Sequence, residues 1–229
     1  MTRSSALSLL LSCLLAVGSA QPSGEEILKK IEANYAGIQD YSVSLDVAVD
    51  LERLKVPQMK ATMHFKQPDK VHFESEGFAL LPKEGVGFTP KSLSSRFDVE
   101  SVKEEKERSQ YILTLKLRSD RTKLRKTFVL VDSKNWTVSQ ITTPQFDGRQ
   151  MTAEFEYQQI ETHWLPAQLT VTFSSDTTET EPPDAFGQLP AAQRSSQIPR
   201  TGTIKIRYSD YRLNTGLNDD VFQQKAAKN

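Results

Sequence analysis

One pattern constrains this chain more than any other: apolar residues recur at every second position, in segment after segment. Tyr41, Val43, Leu45, Val47, Val49 and Leu51 alternate with Ser42, Ser44, Asp46, Ala48 and Asp50. Successive side chains of a strand point to opposite faces, so this segment has one apolar and one wet face. At about 3.3 Å per residue it spans roughly 36 Å, long for a globular sheet. The period returns in Met59, Ala61, Met63 and Phe65, then in Val71 and Phe73 beyond a Gln67-Pro68-Asp69 turn. It returns again in Tyr111, Leu113, Leu115 and Leu117, and in Met151, Ala153, Phe155 and Tyr157. Leu169, Val171 and Phe173, then Ile204, Ile206 and Tyr208, complete the series, while Thr127 to Asp132 is a short apolar run. The pattern predicts about nine to eleven strands, antiparallel and solvated on one face. A sandwich would satisfy it, as would a single curved sheet or barrel. The strand lengths favour the curved sheet.

Only one long helix is expected. Ser23-Gly24-Glu25-Glu26 is a helix start with acidic residues in the first turn, where the helix dipole favours them. Ile27, Ile31, Tyr35 and Ile38 follow at helical spacing, and Gly37 marks the end. Glu104 to Arg108 reads as a charged hairpin tip. Gly85 to Phe97 has no clear period and is expected to hold short helices or a loop. Residues 174–202 contain four prolines and many Ser and Thr, the composition of a long loop.

The first 20 residues read as a secretory signal peptide. Arg3 precedes an apolar run from Ala6 to Val17, and Gly18-Ser19-Ala20 supplies small residues for cleavage after Ala20. The run is shorter than the roughly 20 residues a membrane span needs. Leu11-Ser12-Cys13 resembles a lipidation box, but cleavage there would cut the apolar run in its middle. The expected mature chain is therefore one domain, residues 21–229, exported and soluble. Cys13 is the only cysteine, so the mature chain has neither a disulfide nor a thiol nucleophile. Without Arg3, the 29 basic side chains become 28 against 29 acidic ones. That balance gives no reason to expect nucleic acid as a partner.

Residues for chemistry are sparse. Gly85-Val86-Gly87 lacks the third glycine of a phosphate loop, and no Gly-x-Ser-x-Gly elbow occurs. Glu104, Glu105 and Glu107 lie in a charge run, the usual signature of a solvated turn. His64 and His72 fall on the solvent face of adjacent strands, where a surface pair is a more ordinary reading than a metal site. His163 has no acidic partner at metal spacing. Asn135-Trp136-Thr137 is a formal glycosylation sequon. The expectation is a non-enzyme with no catalytic residue, metal or cofactor.

The order of the pieces is itself distinctive. A signal peptide and one helix lead to a long strand, then to a Lys66-Gln67-Pro68-Asp69-Lys70 hairpin. Later come the stretches from Val131 to Phe173 and from Ile206 to Phe222. Together they resemble the LolA-like outer-membrane lipoprotein-sorting family. The resemblance implies an incomplete antiparallel β-barrel whose apolar concave side is covered by helices. It implies a periplasmic carrier that takes up the acyl chains of a lipoprotein or lipid, with an inner-membrane donor and an outer-membrane acceptor. The protein is expected to act as a monomer. An envelope-stress sensor with the same fold is the alternative.

On that architecture the cavity would be lined by Val43, Leu45, Val47 and Val49, by Met63, Phe65 and Phe73, and by Leu113 and Leu115. Phe155, Tyr157, Val171, Phe173, Ile204 and Ile206 would complete it, and Ile27, Ile31, Tyr35 and Gln67 would belong to the lid. In the sorting carrier the residue matching Gln67 is an arginine that engages the lid. Glutamine can hydrogen-bond but cannot form a charged bidentate latch. The same apolar stripes would also serve as an ordinary core, since each buried Val, Leu or Phe contributes roughly 1.5–3 kcal/mol without any lipid.

Overall fold

Ser23 starts helix α1 (Gly24–Ala33) through a reciprocal cap: its hydroxyl accepts from Glu26 N–H, while the Glu26 carboxylate accepts from Ser23 N–H. These contacts hold the Glu26 carboxyl below its ordinary pKa. Two turns follow Ala33, and Gly37 takes φ +88°, a left-handed conformation that ends such a segment well. The computed structural model describes residues 21–52, 54–55, 57–74, 89–119, 126–144, 149–175 and 201–223. The expected signal peptide, Gly85-Val86-Gly87 and nearly all of the 174–202 loop lie outside these residues.

Strands β1 (Asp40–Leu51), β2 (Leu54–Lys55), β3 (Met59–Lys66) and β4 (Lys70–Glu74) come next. Helix α2 (Pro90–Arg96) is capped by Thr89 and runs directly into β5 (Phe97–Glu105). Then follow β6 (Gln110–Leu117), β7 (Lys126–Asp132), β8 (Thr137–Pro144), β9 (Arg149–Ile160), β10 (His163–Ser175) and β11 (Gly202–Leu213). The strands form one antiparallel sheet in the order β4-β3-β1-β11-β10-β9-β8-β7-β6-β5, and β2 adds to the end of β1. The first and last strands of this path do not pair, so the sheet is an open half-barrel.

The helix covers one end of the apolar face. Asn34, just past α1, donates to the carbonyls of Asn135 and Trp136 in the β7–β8 turn, and its own carbonyl lies 3.0 Å from Nδ1 of His163, the first residue of β10. At the other end of α1, Gly24 lies so close to β5 that an added Cβ would meet Val99 side-chain atoms at 2.4–2.9 Å. Ile27, Leu28 and Ile31 are buried by this packing.

The C-terminal segment locks the α1–β1 junction. Asp40, only 3 % exposed, accepts from the backbone N–H of Thr215, Gly216 and Leu217 and from the Thr215 hydroxyl. Asn214 bonds Gln39 N–H and the Gly37 carbonyl from the same side. Removing a buried acceptor leaves its donors unpaired, at about 1–3 kcal/mol. Asp40→Ala should therefore lower unfolding free energy by about 2–3 kcal/mol in urea titration, whereas Asp98→Ala, exposed on β5, should change it by under ~0.5 kcal/mol.

Candidate functional site

The apolar stripes of nearly every strand converge on one layer beneath α1 and α2. Of the expected cavity residues, Val43, Leu45, Val47, Met63, Phe65, Leu113 and Leu115 are buried there, with Phe155, Val171, Phe173, Ile204 and Ile206. Val49, Phe73 and Tyr157 are half-buried and pack against the same layer. The expected lid residues Ile27, Ile31 and Tyr35 are buried against it, whereas Gln67 is exposed. Leu28, Leu93, Val129, Val131, Val138, Leu165 and Leu169 belong to the layer too. Val129 and Val131 are hard to assign from sequence because Phe128 and Leu130, on the opposite face, are apolar as well.

The two ends of the layer differ. Beneath α1 it is close-packed: Ile27, Ile38, Leu113, Val131 and Leu165 have no exposed surface. At the opposite end, Val49 and Leu51 finish β1, Met59 begins β3, and Met151 lies near the start of β9. All four are in phase with the buried stripe and remain half-exposed. Among the described residues, the sheet thus has a sealed end under the helix and a partly open apolar end away from it.

A cavity of about 120 Å³ marks the seam between α1, α2 and the β3–β4 hairpin, lined by Tyr35, Phe65, Gln67, Pro68, Thr89 and Pro90. Ligand pockets usually run to about 300–1,000 Å³, so an acyl chain does not fit without movement. Phe65 stacks on Tyr41 with centroids 4.9 Å apart and meets the Tyr35 ring edge-on at 6.3 Å. Burial pushes the phenol pKa of Tyr35, Tyr41 and Tyr208 far up.

Among the described residues, few polar bonds cross this seam. Gln67 Nε2 donates to the Tyr35 carbonyl at 3.5 Å, the long limit for a neutral hydrogen bond. Between the helices, Ser94 donates to Glu32, and Lys91 lies 4.0 Å from the same carboxylate. The hairpin lysines face elsewhere. Lys66 and Lys70 both bond Asp219, at 2.6 and 3.0 Å, and Lys66 also reaches the Leu217 carbonyl. The hairpin is therefore anchored to the C-terminal segment and only lightly to the helix.

A larger cavity, about 500 Å³, lies beside the start of α1, lined among others by Glu26, Lys29, Lys30, Glu104, Tyr111 and Trp136. Two glutamates and two lysines suit it poorly to an acyl chain despite its size. Lys30 already occupies the face of Trp136, 3.9 Å from the ring centre. Among the described residues no group of three metal-ligating side chains is assembled, and no helix is long and apolar enough to cross a membrane.

The fold of this chain superposes on those of solved structures. The fold is LolA-like. A Vibrio parahaemolyticus domain named for outer membrane lipoprotein sorting superposes with TM-score 0.54 at 13 % identity, covering 86 % of this chain and 95 % of that one. A LolA superfamily protein from Nitrosomonas europaea gives 0.52 at 10 % identity, covering 89 % and 99 %. A DUF1329 family protein from Desulfovibrio piger gives 0.57 at 13 % identity, covering 88 % and 96 %. No family sequence model matches the chain, and no curated protein matches it in sequence. The likeness lies in the fold.

The Asp219 clamp has a pH signature. Hydrogen bonds from Lys66 and then Lys70 hold the Asp219 carboxyl below its ordinary pKa. A depressed carboxyl stabilises the fold above its unfolded pKa, about 3.9, and that contribution is lost as pH falls through the lower folded value. Asp219→Asn should thus lower Tm at pH ~6, with the difference from wild type closing below pH ~4. High salt should shrink it, because the pair is solvent-screened.

Proposed function

We propose that the chain is a periplasmic carrier that binds the acyl chains of a lipoprotein or lipid on the concave face and moves them between membranes. The observation that carries this reading is the asymmetry of the apolar layer. Val49, Leu51, Met59 and Met151 stay in phase with the buried stripe and together leave one end of a continuous apolar face half-exposed among the described residues. The fold shared with a domain named for lipoprotein sorting supports the same reading.

Magnitudes support entry by displacement. Burying Ile27, Leu28, Ile31 and Tyr35 contributes on the order of 6–12 kcal/mol to holding the helix down, an upper estimate. A sixteen-carbon chain gains on the order of 10 kcal/mol at about 0.8 kcal/mol per CH₂. Cargo and helix are thus comparable competitors for one surface. The chain enters at the half-exposed end, α1 and α2 lift, and the 120 Å³ seam widens. Release then needs a recipient with its own apolar surface, since unaided escape would be slow. An inner-membrane donor and an outer-membrane acceptor are the partners this cycle requires.

Met151→Glu tests the reading. A carboxylate at the half-exposed end should weaken binding of a fluorescent long-chain acyl probe at least tenfold while far-UV circular dichroism stays unchanged. Unaltered probe binding in a folded Met151→Glu variant would remove the concave face from the account.

A further inference from the structure

The outer face of the β3–β4 hairpin carries a histidine pair that neither the apolar layer nor the C-terminal clamp uses. His64 and His72 stand directly opposite each other across the two strands. Their rings are near-parallel, at 21°, with centroids 6.3 Å apart. On its other side His64 Nδ1 lies 2.9 Å from the Ser42 hydroxyl of β1. Its Nε2 is buried and has no hydrogen-bond partner among the described residues, although Glu74 Oε1 stands 3.4 Å away. A buried imidazole nitrogen without a partner is unusual and costly.

The spacing suits an ion between the two groups better than a hydrogen bond. Two ligands at about 2.0–2.1 Å from one tetrahedral ion stand roughly 3.3 Å apart, close to the 3.4 Å between Nε2 and Oε1. Two imidazoles on one such ion place their centroids about 5 Å apart, so His72 needs an approach of about 1 Å and a turn of its ring. No three ligands already surround a common point; the last closes by this movement. It is an easy one, because β4 is an edge strand with β3 as its neighbour in the sheet.

We propose that His64, His72 and Glu74 bind one borderline divalent transition ion, Zn²⁺ foremost. Two imidazoles and a carboxylate, with water in the fourth position, are a zinc-type donor set, whereas Mg²⁺ and Ca²⁺ prefer oxygen ligands alone. The Ser42 hydroxyl, 2.9 Å from Nδ1 of His64, can take either role; with the ion bound it accepts from Nδ1–H, and the Nε2 lone pair goes to the ion. The bound ion staples edge strand β4 to β3 and, through Ser42, to β1.

The test is calorimetric titration of Zn²⁺ into the chelator-stripped protein, produced with its own N-terminal segment and no histidine tag. One ion per chain is expected, with affinity reduced at least tenfold in His72→Ala and in Glu74→Gln. Both residues lie on the outer side, so circular dichroism should show an intact fold where His64→Ala could lose it. Histidine ring NMR should report Nε2 coordination at His64 in the wild type. Absence of saturable binding overturns the proposal. So does an ion held equally well by folded His72→Ala, which would place it at another group such as Asp219 or Asp220.

Discussion

Everything in this molecule follows from one mismatch: a ten-strand path carries an apolar stripe along nearly its whole length, and among the described residues only two short helices, α1 and α2, cover it. An antiparallel sheet can leave its polar face in water but not its apolar face. Closing into a full barrel would bury that face in itself, yet β4 and β5 stay unpaired with each other. The helix resolves the mismatch at one end, where the layer is sealed. Residues at the other end remain half-covered, and the proposed function belongs to that uncovered remainder.

The bonds around the layer sort into firm and loose sets. Asp40, buried and accepting from three consecutive backbone amides, fixes the C-terminal segment to the start of β1. Asp219 then fixes that segment to the hairpin lysines. The sheet and its C-terminal strap thus form one framework. The helix is tied to the hairpin by a neutral 3.5 Å contact from Gln67. Its C-terminal end is tied to the sheet by Asn34, while its buried face holds by apolar packing of the kind a hydrocarbon chain replaces. A carrier needs such a division, with a frame that persists and a cover that exchanges.

Much of the fold was legible because period-two alternation leaves little choice of face. The long strand from Tyr41, the helix start at Ser23 and the charged tip near Lys106 all appear as read, whereas α1 ends at Ala33, four residues before the expected stop at Gly37. Strands β5 and β8 were not legible as strands. Each takes part in a register shift, between Val99 and Ser101 in one and opposite Leu130 and Val131 in the other, so its apolar residues fall out of alternation. The roles of Lys66 and Lys70 were also hidden, since their partner Asp219 lies some 150 residues away in sequence. No local pattern encodes that contact. Likewise, spacing could put His64 beside His72, but only the fold brings in Ser42 and leaves Nε2 without a partner.

The central claim is that the concave layer exchanges its helical cover for hydrocarbon. Its most direct test is mass spectrometry of an organic extract from protein purified without detergent out of its native envelope. The account predicts an acylated species in near-stoichiometric amount. An extract free of acyl chains, and still free of them after incubation of the protein with its own membranes, would contradict it and leave the layer a core alone.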